Sequence, residues 1–302
     1  MKTELIAAIE AGGTKFSCAV GTGPDDIRSQ VRIETTTPTE TLREVVGFLE
    51  HASREFGALS AIGVGCFGPL DLQRNSETYG YITTTPKEGW KYTDLLGTLK
   101  ECFHVPIGFD TDVNAAALGE HLWGNGQRCE PLVYLTVGTG IGGGVLLRGE
   151  PHHGALHPEI GHLMVPQVMS EAPNPEGVCP FHGGCLEGLI SGPALEARWG
   201  APASSFDADH ACWGEFASLM ALALMNLTLT LAPQRIILGG GVMHQTQLFP
   251  MIREELQRML NGYLQTRELM EGIANYVVPP GLGDRAGVLG AMALGQQALR
   301  QR

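Results

Sequence analysis

The chain is predicted to be an α/β protein assembled from two halves that open with the same device, and three observations predict it. Apolar runs of strand length alternate with stretches of helical spacing. A strand, a glycine turn and a second strand occur at 5–20 and again at 132–147. Glycine fills 41 of 302 positions, roughly twice the usual share of about 7%. The glycines cluster as GGT, GTGIGGG, GGG and GLGD, the pattern of tight turns meeting a ligand and not of low complexity.

The elements follow in order. Residues 5–9 are an apolar run ending in Glu10-Ala11-Gly12-Gly13-Thr14-Lys15, and 16–20 resume it, which reads as strand, turn, strand. Residues 41–56 have helical spacing through Leu42, Val45, Val46 and Leu49, with Glu44 suited to a first turn. A buried strand is expected at 61–66, a helix at 95–103, a strand at 106–110 and a helix at 114–122. The pattern then restarts with a strand at 132–137, a glycine turn at 138–144 and a strand at 145–147. Residues 152–187 are irregular and rich in His, Cys, Pro and Gly. Helices are expected at 193–199, 213–231 and 248–260, strands at 235–238 and 275–278, and a closing helix at 284–300. The restart is a weak internal repeat, and it predicts two α/β domains, 1–118 and 119–302.

Composition excludes several classes. An apolar share of 43% suffices for a large core. A formal net charge of −12 disfavours nucleic acid as a partner. An anionic ligand would have to be held by local N–H groups, helix ends and a cation. The longest nonpolar stretch, 216–232, carries Ser218, Asn226, Thr228 and Thr230 and stops at Pro233, so it reads as a buried helix, not a membrane span. Seven cysteines without a secretory signal suggest a reducing cytoplasm.

Several constellations carry chemistry. Glycine turns let backbone N–H groups approach phosphate oxygens, and Thr14 and Lys15 add a hydroxyl and a charge. Gly138-Thr139-Gly140-Ile141-Gly142-Gly143 formally matches a dinucleotide fingerprint, but a hairpin follows where that fold needs a helix. Cys179, His182 and Cys185 are spaced C-x2-H-x2-C, which suits tetrahedral zinc. The fourth ligand is open among His162, His152, His153 and His157. Asp110-Thr111-Asp112-Val113-Asn114 ends a strand before a helix, where a carboxylate either deprotonates a bound hydroxyl or caps the helix. Glu159, His162 and Glu187 flank the Cys/His patch and suit polyol recognition, or are solvated acids. In 83–90, Trp90 either stacks on a sugar or is buried.

Together these motifs resemble the ROK family of sugar kinases and sugar-responsive repressors, along the whole chain. Ala8-Ile9-Glu10-Ala11-Gly12-Gly13-Thr14-Lys15 is similar to the family's first phosphate motif, and Asp112-Val113-Asn114-Ala115-Ala116-Ala117-Leu118-Gly119-Glu120 to the segment with the catalytic aspartate. Residues 136–144 are similar to the second phosphate motif. Glu159-Ile160-Gly161-His162 and Cys185-Leu186-Glu187 match further signatures, and Ile237-Leu238-Gly239-Gly240-Gly241 resembles the adenosine-side motif. Glu10 and Ala11 depart from the usual first motif, and His182 replaces a cysteine in a shortened loop. With the Thr85-Pro86-Lys87-Glu88-Gly89-Trp90 stretch, these departures resemble the fructokinase branch.

The resemblance implies an actin-like, ribonuclease-H-like duplicated (ASKHA) fold with ATP and sugar in an interdomain cleft. It also implies Mg²⁺ and a homodimer. It selects Asp112 as the catalytic base. It places the nucleotide at Gly12, Gly13, Thr14, Lys15, Gly138, Thr139, Gly140, Gly240 and Gly241. The sugar falls to Asn114, Glu159, His162 and Glu187, and zinc to His162, Cys179, His182 and Cys185. The expected reaction transfers the γ-phosphate of ATP to the C6 hydroxyl of fructose. The rivals are mannose, glucose or an N-acetylhexosamine as acceptor, and a sugar-sensing repressor. Such repressors carry a DNA-binding domain ahead of the first glycine motif, which here begins within about ten residues of Met1.

Overall fold

The computed structural model describes residues 4–166 and 170–301. Residues 167–169, within the stretch expected to be irregular, and the extreme ends of the two expected domains lie outside the described residues. The first part of the chain forms β1 (Ile6–Ala11), β2 (Lys15–Gly23), β3 (Asp26–Glu34), α1 (Pro38–Phe56), β4 (Ala61–Cys66), β5 (Tyr81–Ile82), β6 (Thr93–Asp94), α2 (Leu95–Cys102), β7 (Ile107–Thr111) and α3 (Asp112–Trp123). The remainder forms β8 (Leu132–Val137), β9 (Ile141–Leu147), β10 (Glu150–Pro151), α4 (Leu186–Ile190), α5 (Gly192–Trp199), α6 (Ala211–Leu231), β11 (Arg235–Gly239), α7 (Leu248–Leu260), α8 (Arg267–Met270), α9 (Ile273–Tyr276), β12 (Val277–Val278) and α10 (Ala286–Arg300).

The chain divides into two compact units. The first holds the residues up to Gln127, Glu150–His157 and those from Arg285 on; the second holds Arg128–Gly149 and Pro158–Asp284. A boundary at Leu118 would cut α3. That helix is continuous, and its Ala115 and Leu118 pack with Ala293 and Leu294 of α10. The first unit therefore keeps α3 whole and takes the closing helix as well.

In the first unit the strand order is β3-β2-β1-β4-β7, with β1–β2 and β2–β3 antiparallel and β1–β4 and β4–β7 parallel. Alternation along β1 sends Ala7, Ile9 and Ala11 into one cluster with Val45 and Leu49 of α1 and Leu95 and Leu99 of α2. Ile6 and Ala8 face the other way and pack with Ala291 and Met292 of α10. Glycine makes that second contact close: a Cβ on Gly63 or Gly108 would strike the α10 backbone.

The second unit repeats the plan. β9, β8, β11 and β12 are neighbours in that order, with β8–β9 antiparallel and the other two pairs parallel. Helix α6 buries Trp213, Phe216, Met220 and Leu224 in this unit's core. It is long and apolar enough to cross a membrane by length and composition, but these side chains explain its apolarity by packing. The repeat read from the sequence is thus one sheet topology used twice, a hairpin followed by parallel neighbours.

Some expectations shift. The turn after β8 spans three residues, because β9 begins at Ile141 and Gly142, Gly143 and Gly144 pair with Thr136, Leu135 and Tyr134. Helix α3 begins at Asp112, not Asn114. Strand β3 was not expected; it lies at the sheet's edge with Ile33 as its one fully buried residue, so it carries little apolar signal. Trp90 is fully buried between Phe16 and Phe67, and its indole N–H donates to the Thr36 carbonyl at 2.8 Å. Of its two readings, the buried one holds.

Candidate active site

In the first unit, three parallel neighbours end side by side. Ala11 pairs with Cys66 and Cys66 with Thr111, so the turn after β1 and the start of α3 leave the sheet at one edge. Ligands of open α/β sheets gather at that edge. The turn itself is Gly12-Gly13-Thr14. The Gly12 N–H donates to the Lys15 carbonyl at 3.0 Å, the Thr35 hydroxyl donates to the Gly12 carbonyl at 2.7 Å, and the Thr35 N–H donates to the Thr14 carbonyl at 3.0 Å. None of Gly12, Gly13, Gly138 and Gly140 takes a positive φ. What Gly13 and Gly138 provide is room: a Cβ on either would meet nothing within 4 Å.

Asp112 is the first residue of α3. Thr111 caps the helix, its hydroxyl accepting from the Asn114 N–H at 3.1 Å, so Asp112 is released from the capping role. Its carboxylate accepts from the Val113 N–H at 2.9 Å. Burial nevertheless pushes its pKa up to about 6. Such a carboxyl can accept a proton near neutrality. Glu10, at the end of β1, is pushed up to about 7 by burial and by the charge of Asp112.

Asp110 and His153, the unchosen alternatives of the sequence analysis, bind each other. The His153 imidazole lies 3.0 Å from Asp110 Oδ2, and the carboxylate holds it above its ordinary pKa. Asp110 Oδ1 also accepts from the Thr111 N–H at 2.7 Å and the Asn114 side-chain amide at 2.8 Å. Asn114 is fully buried, so its amide orients Asp110. His157 accepts from the Leu70 N–H at 3.0 Å.

The second unit gathers the remaining candidates. His162, Cys179, His182 and Cys185 place their ligand atoms within 4.8 Å of one another. His162 Nδ1 lies 3.2 Å from His182 Nδ1 and 3.5 Å from Cys185 Sγ, while Cys179 Sγ lies 3.8 Å from both imidazoles. Tetrahedral zinc with ordinary bond lengths requires roughly 3.3 Å between nitrogens and roughly 3.6 Å between nitrogen and sulfur. The donor set and its spacing fit. Burial and the neighbouring Cys179 thiol push the Cys185 thiol up to about 11, and a soft cation would supply the charge that favours its thiolate.

Glu187 lies on α4, two residues past Cys185, and its carboxylate accepts from the Ile141 N–H at 2.9 Å, at the end of the turn after β8. Glu159 is exposed and precedes a short 3₁₀ turn in which its carbonyl accepts from the His162 N–H at 3.0 Å. Gly240 follows β11 with φ 91°, and a Cβ there would meet Val137. Gly241 faces open space. Because Gly239 pairs with Thr136, Gly240 and Gly241 and the turn of Gly138, Thr139 and Gly140 leave the second sheet at one edge.

Two groups escaped the sequence reading. The Asp110–His153 pair spans 43 residues, and the Glu187–Ile141 bond spans 46. Only the shared Cys/His-rich segment hinted at either.

The ROK family model matches residues 6–298. Fructokinase of Pediococcus pentosaceus is 42% identical over 98% of this chain and 99% of its own length. Fructokinase of Zymomonas mobilis is 41% identical over 96% of both chains. Among solved structures, the ROK hexokinase from Thermus thermophilus superposes with a TM-score of 0.79 at 28% identity, covering 99% of this chain and 100% of that one.

Proposed function

Since the chain belongs to the ROK family, we propose that it is an ATP-dependent kinase whose acceptor is D-fructose, phosphorylated at the C6 hydroxyl. The observation that carries the reading is Asp112, freed from capping by Thr111 and tuned by burial to about 6. The two fructokinases similar over nearly full length support fructose as the acceptor.

Asp112 takes the proton of the C6 hydroxyl as that oxygen forms its bond to the γ-phosphorus. The bond from phosphorus to the β–γ bridging oxygen breaks, and ADP leaves with the electron pair. Phosphoryl transfer of this kind rests on positioning and charge neutralisation. Mg²⁺, bound with ATP, supplies part of that neutralisation. Gly12, Gly13, Thr14 and Lys15 offer N–H groups, a hydroxyl and an ammonium to phosphate oxygens. Gly138, Thr139 and Gly140 offer the second set; on the adenosine side Gly241 leaves space, and Gly240 lets the backbone pass close to Val137. Glu159, His162 and Glu187 would hold the sugar's hydroxyls, while Asn114, fully buried, would act through Asp110. Zinc on His162, Cys179, His182 and Cys185 would fix the loop that presents those three residues. The proposed assembly is a homodimer, the family's usual state, which sedimentation would check.

The test is a coupled ADP-release assay over fructose, mannose, glucose and N-acetylhexosamines. The reading expects the largest kcat/KM with fructose. Turnover dominated by another hexose would replace the acceptor, and no turnover with any sugar would overturn the kinase. Metal analysis of the purified chain checks zinc separately, with about one equivalent per chain expected and less than about half counting against the four-ligand site.

A further inference from the structure

Glu187 enters the reading above as a ligand of the sugar, yet in the structure it holds the second glycine turn. Its Oε2 accepts from the Ile141 N–H at 2.9 Å. Ile141 is buried, so without this acceptor its N–H would stand poorly satisfied. The same carboxylate crowds Gly140, where an added Cβ would come within 2.6 Å of Oε2. The opposite end of the turn is held from the same stretch of chain. The Gly192 N–H, at the start of α5, donates to the Gly138 carbonyl at 2.8 Å, while the Gly138 N–H donates to the Gly140 carbonyl at 2.9 Å. Residues 187–192 thus grip the turn at both ends. They begin two residues after Cys185, a member of the Cys/His cluster.

We propose that Glu187 is a positioning residue for the nucleotide: it sets the phosphate-binding geometry of the turn of Gly138, Thr139 and Gly140 whether or not sugar is present. The proposal rests on the reading that this turn receives ATP phosphates. A carboxylate has lone pairs for several donors. One oxygen serves the turn, and the other is left to an acceptor hydroxyl. A single side chain then adjoins both halves of the reaction, and its turn-side bond forms without sugar.

Two substitutions separate the roles. Glu187→Gln keeps an amide oxygen that accepts from the Ile141 N–H but loses the charge that suits a sugar hydroxyl. Glu187→Ala loses both. The measurement is AMP-PNP affinity by calorimetry with no sugar present, on purified chains whose melting and metal content match the wild type. Glu187→Ala is expected to weaken AMP-PNP about tenfold, as for a lost bond to a charged acceptor. Glu187→Gln should stay within about twofold, while the KM for fructose rises in both. Equal AMP-PNP affinity in wild type and Glu187→Ala overturns the proposal, and so does equal weakening in both variants. If Glu187→Ala does not fold, Gly140→Ala serves, because its methyl would push the carboxylate off the turn. AMP-PNP affinity unchanged in that variant would likewise overturn the tether. A wild type that binds no AMP-PNP overturns the kinase reading together with the tether, whereas tight binding with an indifferent Glu187 overturns the tether alone.

Discussion

The turn after β1 is held by a threonine hydroxyl that follows an edge strand, through Thr35 and Gly12, whereas the turn after β8 is held by a carboxylate on a helix, through Glu187 and Ile141. One sheet plan thus carries two kinds of fastening. The difference extends to the outer parallel strand. In the first unit β7 runs into Asp110, Thr111 and Asp112; in the second, β12 runs into Pro279 and Pro280. A proline pair offers no side-chain proton acceptor, and no α-helix begins there. On the proposed reading, the repeated sheet plan offers two phosphate-sized turns but one base.

The sharpest way to break this comparison is at the base. Asp112→Asn should lower kcat by about 10³-fold, within the usual span for general-base catalysis, with melting temperature and metal content unchanged. Near-normal turnover would remove the asymmetry between the halves.

Next in size is a contrast between two glycines. Gly240 holds φ 91°, and a Cβ there would lie 2.5 Å from the Val137 nitrogen. Gly240→Ala should destabilise the protein by about 1–3 kcal/mol, the usual cost of such backbone strain, measured by chemical denaturation. Gly13→Ala, in open space, should leave stability unchanged and raise the KM for ATP. Matching stability losses would mean that both turns are equally confined.

The pH dependence belongs to the first unit. Protonation of Asp112 should make kcat/KM fall as pH drops through about 6. Stability should run the other way through Glu10. Its folded value of about 7 exceeds the ordinary 4.5. Its contribution is therefore full at low pH and is lost as pH rises through about 7. Between about pH 5 and 8 the wild type's melting temperature should decline more than that of Glu10→Gln; parallel curves would count against it.

The smallest effect is expected at Thr35. Thr35→Val removes one neutral hydrogen bond to the first turn and should raise the KM for ATP by about fivefold or less. A larger loss than at Glu187→Ala would reverse the ranking of the two fastenings.

Much of this was legible in the sequence, because local chemistry wrote it there. The hairpins show in the apolar runs flanking Gly12 and Gly138, α6 in its long apolar pattern, and the Cys179–His182–Cys185 spacing in a single loop. What stayed hidden depends on partners distant along the chain. Spacing alone left His162 level with His153; the E-x-G-H resemblance singled out His162, and packing sets it among the sulfurs and His153 on Asp110. Strand β3 was missed because an edge strand needs few apolar residues. The expected break at Leu118 falls within the continuous helix α3, and the close packing of α10 on the first sheet depends on Gly63 and Gly108, which look unremarkable in isolation.

That closing helix bears on how the protein is made. The face of the first sheet formed by Ile6, Ala8 and Ala61 is covered by Ala291 and Met292, more than two hundred residues later in synthesis. While the ribosome works through the second unit, this apolar face has no cover of its own. The second unit can complete its core from a nearly continuous stretch, and the first must wait. Stalled or slowed translation late in the message should therefore expose the earlier half to aggregation, and chaperone demand should fall when α10 emerges.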